Sequence, residues 1–295
     1  MKRFGLIGHP IAHSLSPALF KAGYAGKYPY ELIETADFEE AYNRFLNGYD
    51  GINVTAPFKE LAYAKADILS EECRIIKATN LLVRTPEGVK AYNSDYLGVR
   101  MWLQEAAEGL KRTTPTSWAP PPAARGVARF SPPPQPHSTI KVLIVGTGGA
   151  GKAAAVAAAS LGMEVTLMNR SIEKAEAVAG SIAEMNGSIA VEVRPMEDFR
   201  CCFRKADIVI YNIPSAIPAL GELTSEDFNP EYQKFILEAN YRNPSFDDTL
   251  IGKMNASNPA ASYTDGKVWL LYQALTGYEI FTGEKPDLGS MSAVL

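Results

Sequence analysis

The sequence predicts an α/β fold that contains a Rossmann-type dinucleotide-binding unit, and residues 140–170 supply the main evidence. The apolar run Ile140–Val145 is rich in β-branched residues and is typical of a buried parallel strand. After a glycine-rich turn, the alanine-rich stretch Ala153–Leu161 predicts a helix, and the apolar run Val165–Met168 predicts the next strand. The chain has 295 residues, which is long enough for a second domain with its own core.

The turn between this strand and helix predicts a pyrophosphate site. Small residues let the backbone approach phosphate closely, and the start of a helix offers free N–H groups. The expected cofactor contacts in the turn are Gly146, Gly148, Gly149, Ala150 and Gly151. Gly146 to Lys152 also fit a P-loop, but Ala153 stands where that motif needs a magnesium-binding hydroxyl. The dinucleotide interpretation is therefore favoured, and a turn that only allows close helix–sheet packing is the alternative.

The residues after the second strand distinguish the two nicotinamide cofactors. An NAD site places Asp or Glu about 20 residues beyond the glycines, where the carboxylate binds the ribose 2′-hydroxyl. Here the strand is followed by Asn169, Arg170 and Ser171, with Lys174 one helical turn later. A guanidinium in place of a carboxylate favours a 2′-phosphate and therefore NADP(H), whereas the alternative is a solvated arginine at a strand end.

Composition and charge narrow the class of protein. Apolar residues make up 46% of the chain and charged residues 21%, which is ordinary for a globular protein. The net charge of −4 indicates neither a nucleic-acid partner nor an acidic membrane surface, and no apolar run has signal-peptide or membrane-spanning length. Cys73, Cys201 and Cys202 lack metal-ligand spacing, so no metal site is predicted. We expect a cytoplasmic protein that is a monomer or a homodimer.

Two serines near the N-terminus form the first candidate site. They follow the predicted strand Phe4–Gly8. In an extended segment Ser14 and Ser16 would project to the same side, so their hydroxyls would point in one direction. Ser16 has an alternative role as the N-cap of the next helix, with Pro17 at its first position. Ser14 has no such alternative.

A strand–helix junction and a hairpin supply further candidates. In the segment Asn53–Lys59, polar Thr55 lies on the polar face of a predicted strand, and Lys59 stands at a helix start, where it opposes the helix macrodipole. A surface lysine is the alternative. Asn80 and Asp95 lie at the two outer ends of the hairpin predicted over residues 81–92, so we expect them to be close. Ser94 or Asp95 could instead cap the following helix.

Three features of the later chain complete the candidates. Asn212 and Ile213 follow the strand Ile208–Tyr211, at the sheet edge where open α/β sheets bind ligands. Gln273 interrupts the apolar helix Gly266–Phe281 and faces either a cleft or the core. Residues 111–139 are rich in proline and predict a flexible surface insertion, for which docking of a partner is an alternative.

Five ordered motifs resemble the shikimate dehydrogenase family over nearly the whole chain outside this insertion. They are Pro10–Pro17, Asn53–Lys59, Asn93–Asp95, Gly146–Gly151 and Asn169–Ser171. The resemblance implies NADPH-dependent, reversible reduction of 3-dehydroshikimate to shikimate, a step in aromatic amino-acid biosynthesis. It also implies a three-layer α/β substrate domain formed by residues 1–100 and 265–295, with the Rossmann NADP-binding domain, residues 101–264, between them.

The resemblance also implies a role for each candidate residue. Lys59 and Asp95 would form the catalytic pair, and which of them transfers the proton stays open. Ser14 and Ser16 would bind the substrate carboxylate. The other implied substrate contacts are Thr55, Asn80, Tyr241 and Gln273. The implied cofactor contacts are those of the glycine turn and strand end together with Asn212, Ile213 and Gly266.

Four residues depart from the family pattern: Leu81, Tyr96, Glu238 and Trp269. We expect them to line the substrate or nicotinamide side of the site. Two alternatives to an NADP-dependent shikimate dehydrogenase remain at this point. One is a quinate or quinate/shikimate dehydrogenase that uses NAD(H). The other is a non-catalytic, NADP-binding regulatory paralogue, against which the presence of both Lys59 and Asp95 argues.

Overall fold

The computed structural model describes residues 1–112, 139–185, 191–228 and 233–295, which form alternating strands and helices. The strands are β1 Phe4–Gly8, β2 Tyr30–Glu34, β3 Gly51–Val54, β4 Ile68–Leu69, β5 Leu81–Thr85, β6 Gly88–Tyr92, β7 Lys141–Val145, β8 Glu164–Met168, β9 Val191–Arg194, β10 Ile208–Tyr211, β11 Phe235–Glu238 and β12 Ser262–Thr264. The α-helices are α1 Ser16–Gly23, α2 Phe38–Gly48, α3 Lys59–Lys65, α4 Glu71–Ile76, α5 Ser94–Arg112, α6 Gly149–Ser160, α7 Ile172–Met185, α8 Phe199–Lys205, α9 Pro218–Gly221, α10 Asp248–Ser257, α11 Gly266–Thr282 and α12 Leu288–Ser292.

These strands form two six-stranded sheets. The N-terminal sheet has the order β2-β1-β3-β5-β6-β4 and is mixed, because β5 runs antiparallel to both β3 and β6. The second sheet has the order β12-β11-β10-β7-β8-β9 and is parallel throughout. Its strand order reverses between β7 and β10, which is the doubly wound arrangement of a Rossmann domain. The predicted fold class is therefore confirmed.

Helices cover both faces of the N-terminal sheet. Phe4 and Leu81 lie in an apolar core shared with α1, α11 and α12. Ile7 and Leu82 lie in a separate core shared with α2, α3 and α4. Because neighbouring residues of a strand point to opposite faces, these two cores lie on opposite sides of one sheet. The result is a three-layer α/β unit.

The parallel sheet is likewise buried on both faces, as its apolar strands require. Val142 and Ile144 pack with α6 and α7, whereas Leu143 and Val145 pack with α8 and α10. The buried alanines of α6, residues 153–155 and 157–159, have short side chains that let this helix lie close to the strands. The close packing holds the glycine turn at the start of α6 against the carboxyl end of β7.

Helices α5 and α11 pack against each other and connect the two sheets. Gly98 permits their contact, since a Cβ there would lie 2.5 Å from the backbone nitrogen of Gln273. Trp102 of α5 and Trp269 of α11 lie in a core of the parallel sheet. Tyr278, later in α11, lies in a core of the N-terminal sheet. One helix pair therefore places residues of both sheets around a common cleft.

Most predicted elements are present, with differences at the short elements. The helix predicted over Tyr96–Glu108 is α5, which begins two residues earlier, at Ser94, and continues to Arg112. The rest of the predicted proline-rich insertion, residues 113–138, lies outside the described residues. Helices α4, α8, α9, α10 and α12 were not predicted, because their stability comes from buried contacts more than from a clear helical pattern. The limits of the two domains remain predictions.

Candidate active site

A cleft of about 490 Å³ opens at the carboxyl ends of β1 and β3, and residues that follow β11 form part of its wall. The structure brings together in its lining all eight residues to which the sequence analysis gave a catalytic or substrate-binding role. These are Ser14, Ser16, Thr55, Lys59, Asn80, Asp95, Tyr241 and Gln273.

Lys59 and Asp95 form an ion pair in this cleft. Lys59 Nζ donates a hydrogen bond to Asp95 Oδ2 at 2.5 Å, and the side chains are 25% and 11% exposed. Lys59 is held at the start of α3, where its carbonyl accepts a bond from the Thr79 backbone N–H at 3.1 Å. Asp95 lies in the first turn of α5, where the helix dipole stabilises a carboxylate. The pair therefore places an ammonium group, held by a carboxylate, in the lining of the cleft.

Helix α5 is capped by Asn93, so the alternative that Ser94 or Asp95 serves as the cap is wrong. Asn93 Oδ1 accepts a hydrogen bond from the Tyr96 backbone N–H at 3.0 Å. Asn80 Oδ1 accepts bonds from the backbone N–H of Ser94 at 2.7 Å and from its hydroxyl at 3.3 Å. Because Asn93 serves as the cap, the carboxylate of Asp95 is not needed there and lies in the lining of the cleft.

The hydroxyl oxygens of Ser14 and Ser16 lie 3.1 Å apart at the start of α1. The segment is not extended as expected, because Leu15 has helical dihedral angles. Ser16 is inside the helix, whose N-cap residue is Leu15, so the N-cap role for Ser16 is wrong. Ser14 Oγ instead accepts a hydrogen bond from the Ser16 backbone N–H at 3.2 Å. Two adjacent hydroxyls beside the positive end of a helix suit a carboxylate ligand.

The neighbouring backbone fixes the remaining polar groups of the cleft. The Thr55 backbone N–H donates to the Ile7 carbonyl at 2.9 Å, which holds Thr55 at the end of β3. The Asn80 carbonyl accepts from the Val54 backbone N–H at 2.8 Å, and its Oδ1 is occupied by Ser94. The amide nitrogen of Asn80 is thus the group left to donate to a ligand. Gln273 lines the cleft, as one of the two sequence interpretations expected.

Several residues of the cleft wall were not predicted from the sequence, among them His9, His13, Ser94, Arg242 and Tyr278. Tyr278 donates from its hydroxyl to the Ser16 carbonyl at 3.0 Å, and Tyr30 donates to Asn53 Oδ1 at 2.8 Å. Burial raises the pKa of both tyrosines well above the usual value, so the hydroxyls remain donors. Tyr278 was not predicted because it lies in the apolar helix Gly266–Phe281, whose pattern is typical of core residues.

The glycines of the turn at the start of α6 have two different functions. Gly146 has a φ of +95°, and a Cβ at Gly151 would lie 1.9 Å from the Gly146 carbonyl oxygen, so these two glycines allow the turn itself. A Cβ at Gly148 or Gly149 would meet nothing within 4 Å. The second pair therefore leaves open space at the start of the helix, where a pyrophosphate binds in a Rossmann domain.

Unsatisfied polar atoms surround this turn. The hydroxyl of Thr147 and both polar atoms of the Asn212 side chain are buried without a hydrogen-bond partner in the described part of the chain. The Asn212 backbone N–H donates to the Val145 carbonyl at 2.8 Å, which holds Asn212 next to the turn. A buried, unpaired polar group costs about 1–3 kcal/mol. Their presence around an open glycine turn fits a polar ligand such as a dinucleotide.

Cationic side chains follow the end of β8. Asn169 braces this end, since its Oδ1 accepts from the Thr147 backbone N–H at 3.3 Å and its Nδ2 donates to the Ser171 carbonyl at 2.9 Å. Arg170 and Lys174 are exposed, and no carboxylate of the described residues forms an ion pair with either. The arrangement leaves two positive charges near the glycine turn.

The two remaining cofactor candidates lie in tightly packed positions. A Cβ at Gly146 would lie 3.2 Å from Ile213 Cγ1, so Ile213 is next to the turn. A Cβ at Gly266 would lie 2.1 Å from the Ala239 carbonyl oxygen. Gly266 is thus required for the contact of α11 with the chain after β11, and its contact with a cofactor remains a prediction.

The four residues that depart from the family pattern were expected to line the site, but not all of them do. Leu81 is fully buried in the core of the N-terminal sheet. Glu238 is also fully buried, and its carboxylate accepts backbone bonds from residues 245 and 246 at 2.5 and 3.1 Å. Trp269 lies behind the catalytic pair and donates from Nε1 to the Asp95 carbonyl at 2.9 Å. Glu238 therefore shapes a loop, and Trp269 supports Asp95.

The described residues contain neither a cluster of metal-ligand side chains nor a membrane-spanning helix. Among them, no group of three or more His, Cys, Asp and Glu residues could hold a metal ion. No described helix combines the length and the apolar character needed to cross a bilayer.

Burial raises the pKa of the Cys73 thiol to about 12, so this cysteine is a core residue without thiolate chemistry.

A parallel doubly wound sheet with an open glycine turn, next to a cleft that holds a lysine–aspartate pair, defines a Rossmann-type oxidoreductase. Two family models match the chain: the shikimate dehydrogenase substrate binding domain over residues 6–82, and shikimate / quinate 5-dehydrogenase over residues 133–237. The protein belongs to the shikimate dehydrogenase family.

Curated relatives match over almost the entire chain. A shikimate dehydrogenase (NADP(+)) from Leptospira interrogans is 29% identical, over 97% of this chain and 91% of the relative. The enzyme of the same name from Methanosarcina barkeri is 27% identical, over 98% of this chain and 95% of the relative. Among solved structures, shikimate 5-dehydrogenase from Thermus thermophilus in complex with NADP(H) and shikimate is 26% identical, with a TM-score of 0.71 and coverage of 100% and 98% of the two chains.

Proposed function

We propose that this protein is an NADP-dependent shikimate dehydrogenase, which catalyses the reversible reduction of 3-dehydroshikimate to shikimate. The observation that carries the proposal is the Lys59–Asp95 ion pair, in a cleft lined by hydroxyl and amide groups. Family membership and relatives that bear the name shikimate dehydrogenase (NADP(+)) support the same reaction. In this role the enzyme serves the shikimate pathway to chorismate and the aromatic amino acids.

NADP(H) would bind with its pyrophosphate at the glycine turn, and when bound it would supply the hydride for reduction and accept it in oxidation. The open space at Gly148 and Gly149 would receive the pyrophosphate, and the unpaired amide of Asn212 and the Thr147 hydroxyl would gain partners. Arg170 and Lys174 would bind the 2′-phosphate, since no carboxylate occupies the position that favours NAD.

Lys59 is the group that we assign to proton transfer. When a hydride adds to a ketone carbon, the carbonyl oxygen becomes an alkoxide that needs a proton and a nearby cation. The Lys59 ammonium supplies both, and the neutral amine left behind recovers a proton from solvent. In the reverse direction the neutral amine accepts the hydroxyl proton of shikimate. Asp95 holds the ammonium in place through its bond at 2.5 Å.

The rest of the cleft would orient the substrate. The two hydroxyls of Ser14 and Ser16 would donate to the carboxylate at the positive end of α1. Thr55, Asn80 and Gln273 would bond the ring hydroxyls, with Tyr241 nearby in the lining of the cleft. Fixing the ring from both ends places the reacting carbon beside the catalytic pair.

Initial rates of reduced-cofactor formation test this proposal, with shikimate and quinate each supplied with NADP⁺ and with NAD⁺. We expect the highest kcat/KM for shikimate with NADP⁺. A preference for quinate with NAD⁺ would favour the quinate dehydrogenase alternative. Binding of NADP⁺ without turnover of either substrate would favour the regulatory paralogue. A cytoplasmic location and a monomeric or homodimeric state are further parts of the proposal, which cell fractionation and sedimentation test.

A further inference from the structure

Arg242 brings an uncompensated positive charge to the cleft. The ammonium of Lys59 is neutralised there by the carboxylate of Asp95. Arg242 lines the same cleft, and its guanidinium forms no ion pair with a carboxylate of the described residues. A cleft that must accept a carboxylate anion therefore contains one permanent charge that its own residues do not cancel.

The loop that carries Arg242 is held in place by side chains on both sides. Asn240 Oδ1 accepts bonds from the backbone N–H groups of Arg242 and Asn243, each at 3.3 Å. Asn240 Nδ2 donates to the carbonyls of Pro214 and Asn243 at 3.2 and 2.7 Å. The buried carboxylate of Glu238 binds the far end of the loop. The backbone of Arg242 is therefore well defined although its side chain is exposed.

The guanidinium of Arg242 reaches the segment that carries the two serines. Arg242 Nη2 donates to the His13 carbonyl at 3.3 Å, and His13 directly precedes Ser14. The guanidinium carbon lies 5.8 Å from the ring centroid of Tyr241, which is also in the cleft wall. A guanidinium has five N–H donors, so the bond to His13 leaves donors for a ligand.

We propose that Arg242 binds the substrate carboxylate together with Ser14 and Ser16, and so selects anionic over neutral substrates. This inference rests on the proposed function, because it assigns the carboxylate of shikimate to this end of the cleft. Two hydroxyls alone orient a carboxylate but do not compensate its charge, whereas a guanidinium does both. Arg242 comes from the loop after β11, so the substrate would link that loop to the N-terminal segment.

A purely structural role for Arg242 gives a different expectation. If its bond to the His13 carbonyl only held the two segments together, its loss would affect charged and neutral substrates alike. The methyl ester of shikimate separates these cases, since it keeps the ring hydroxyls but has no carboxylate charge.

The test compares the wild type, Arg242→Gln, Arg242→Lys and the control Arg74→Gln, which removes an exposed arginine of α4 outside the cleft. With shikimate we expect KM to rise about 10- to 100-fold in Arg242→Gln, the range for a lost bond to a charged group, with kcat within about threefold. With the methyl ester, Arg242→Gln and the wild type should have similar kcat/KM. Arg242→Lys should recover part of the affinity, and Arg74→Gln should behave as the wild type.

Titration calorimetry with shikimate supplies a readout that is independent of turnover. If Arg242→Gln lost the same affinity for shikimate as for its methyl ester, or lost affinity for neither, the role of Arg242 would be overturned while the proposed function stands. A wild type that neither binds nor oxidises shikimate would instead overturn the proposed function, and the inference with it.

Discussion

The Lys59 ammonium lies 2.5 Å from Asp95 Oδ2, although the two residues belong to different helices that both begin at the cleft. The Thr79 backbone N–H binds the Lys59 carbonyl, and Trp269 binds the Asp95 carbonyl. Each member of the pair is thus fixed through its backbone, which leaves both charged groups for the ligand.

Replacement of either member of this pair should reduce turnover strongly. We expect Lys59→Met and Asp95→Asn each to lower kcat by at least about 100-fold, the usual contribution of a general acid or base, with a smaller change in shikimate affinity. Because the two residues act as a unit, the double variant should lose little more than the worse single variant. Stopped-flow rates and calorimetry check this. Lys65→Met, which removes a surface lysine paired with Glu39, is the control. Near-normal turnover of Lys59→Met would contradict the mechanism.

The charge of Arg170 should determine the choice of cofactor. We expect Arg170→Gln to raise KM for NADP⁺ about 10- to 100-fold, because a charge-assisted bond to the 2′-phosphate is lost, and to leave KM for NAD⁺ nearly unchanged. Initial rates with both cofactors measure the ratio. Arg194→Gln, an arginine paired with Glu192 on the surface, controls for loss of a charge. An equal change for both cofactors would show that Arg170 does not recognise the phosphate.

Two glycines of the same turn should respond differently to a methyl group. Gly151→Ala should lower the melting temperature and abolish cofactor binding, since its Cβ would lie 1.9 Å from the Gly146 carbonyl oxygen. Gly148→Ala should fold normally, because its Cβ would meet nothing within 4 Å, but should weaken NADP⁺ binding through the space reserved for pyrophosphate. Thermal unfolding and fluorescence titration distinguish the two effects. Unchanged cofactor affinity in Gly148→Ala would place the pyrophosphate elsewhere.

Lys234 should make stability depend on pH in the alkaline range. It is 2% exposed and donates to the carbonyls of Phe203 and Ala206, and burial lowers its pKa from 10.5 to about 8. Between pH 8 and 10.5 the unfolded chain binds more protons at this site, so the free energy of unfolding rises with pH, by about 3 kcal/mol across the window.

The measurement for Lys234 is the difference in unfolding free energy between the wild type and Lys234→Met, from urea denaturation at several pH values. Because the two proteins share all other titratable groups, subtracting one unfolding free energy from the other removes the contribution of those groups. The difference should shift in favour of the wild type as the pH rises through this window. Lys253→Met, which removes an exposed lysine, is the control for loss of a lysine side chain. A difference for Lys234→Met that does not change with pH would show that the charge of Lys234 is not buried at a penalty.

The sequence predicted much of the fold because local pattern and long-range packing agree there. The β-branched run before Val145 and the alanines of α6 suit only a buried strand and a closely packed helix. The short helix α8 was missed, since it depends on Phe199 and Phe203, whose burial is decided by distant elements. The prediction for Ser16 failed for a different reason. Serine is a favourable N-cap residue, but α1 begins at Ser16, one residue earlier than predicted, so Ser16 lies inside the helix.

The candidate site was predictable where a residue type was unusual for its local position. Lys59 at a helix start and Asp95 after a hairpin met this condition. Arg242 did not, because an arginine in an exposed loop has no distinctive pattern, and only the fold shows that it reaches the His13 carbonyl. Glu238 likewise appeared to belong to the site, whereas its carboxylate holds the backbone of a loop.

Hydride transfer from shikimate deuterated at the carbon that bears the reacting hydroxyl tests the central claim most directly. Under single-turnover conditions with NADP⁺, the wild type should form deuterated NADPH with a primary isotope effect, if hydride transfer limits the rate. Lys59→Met should form it far more slowly while binding both ligands. Reduced cofactor without deuterium, or none at all from a wild type that binds shikimate and NADP⁺, would contradict the account.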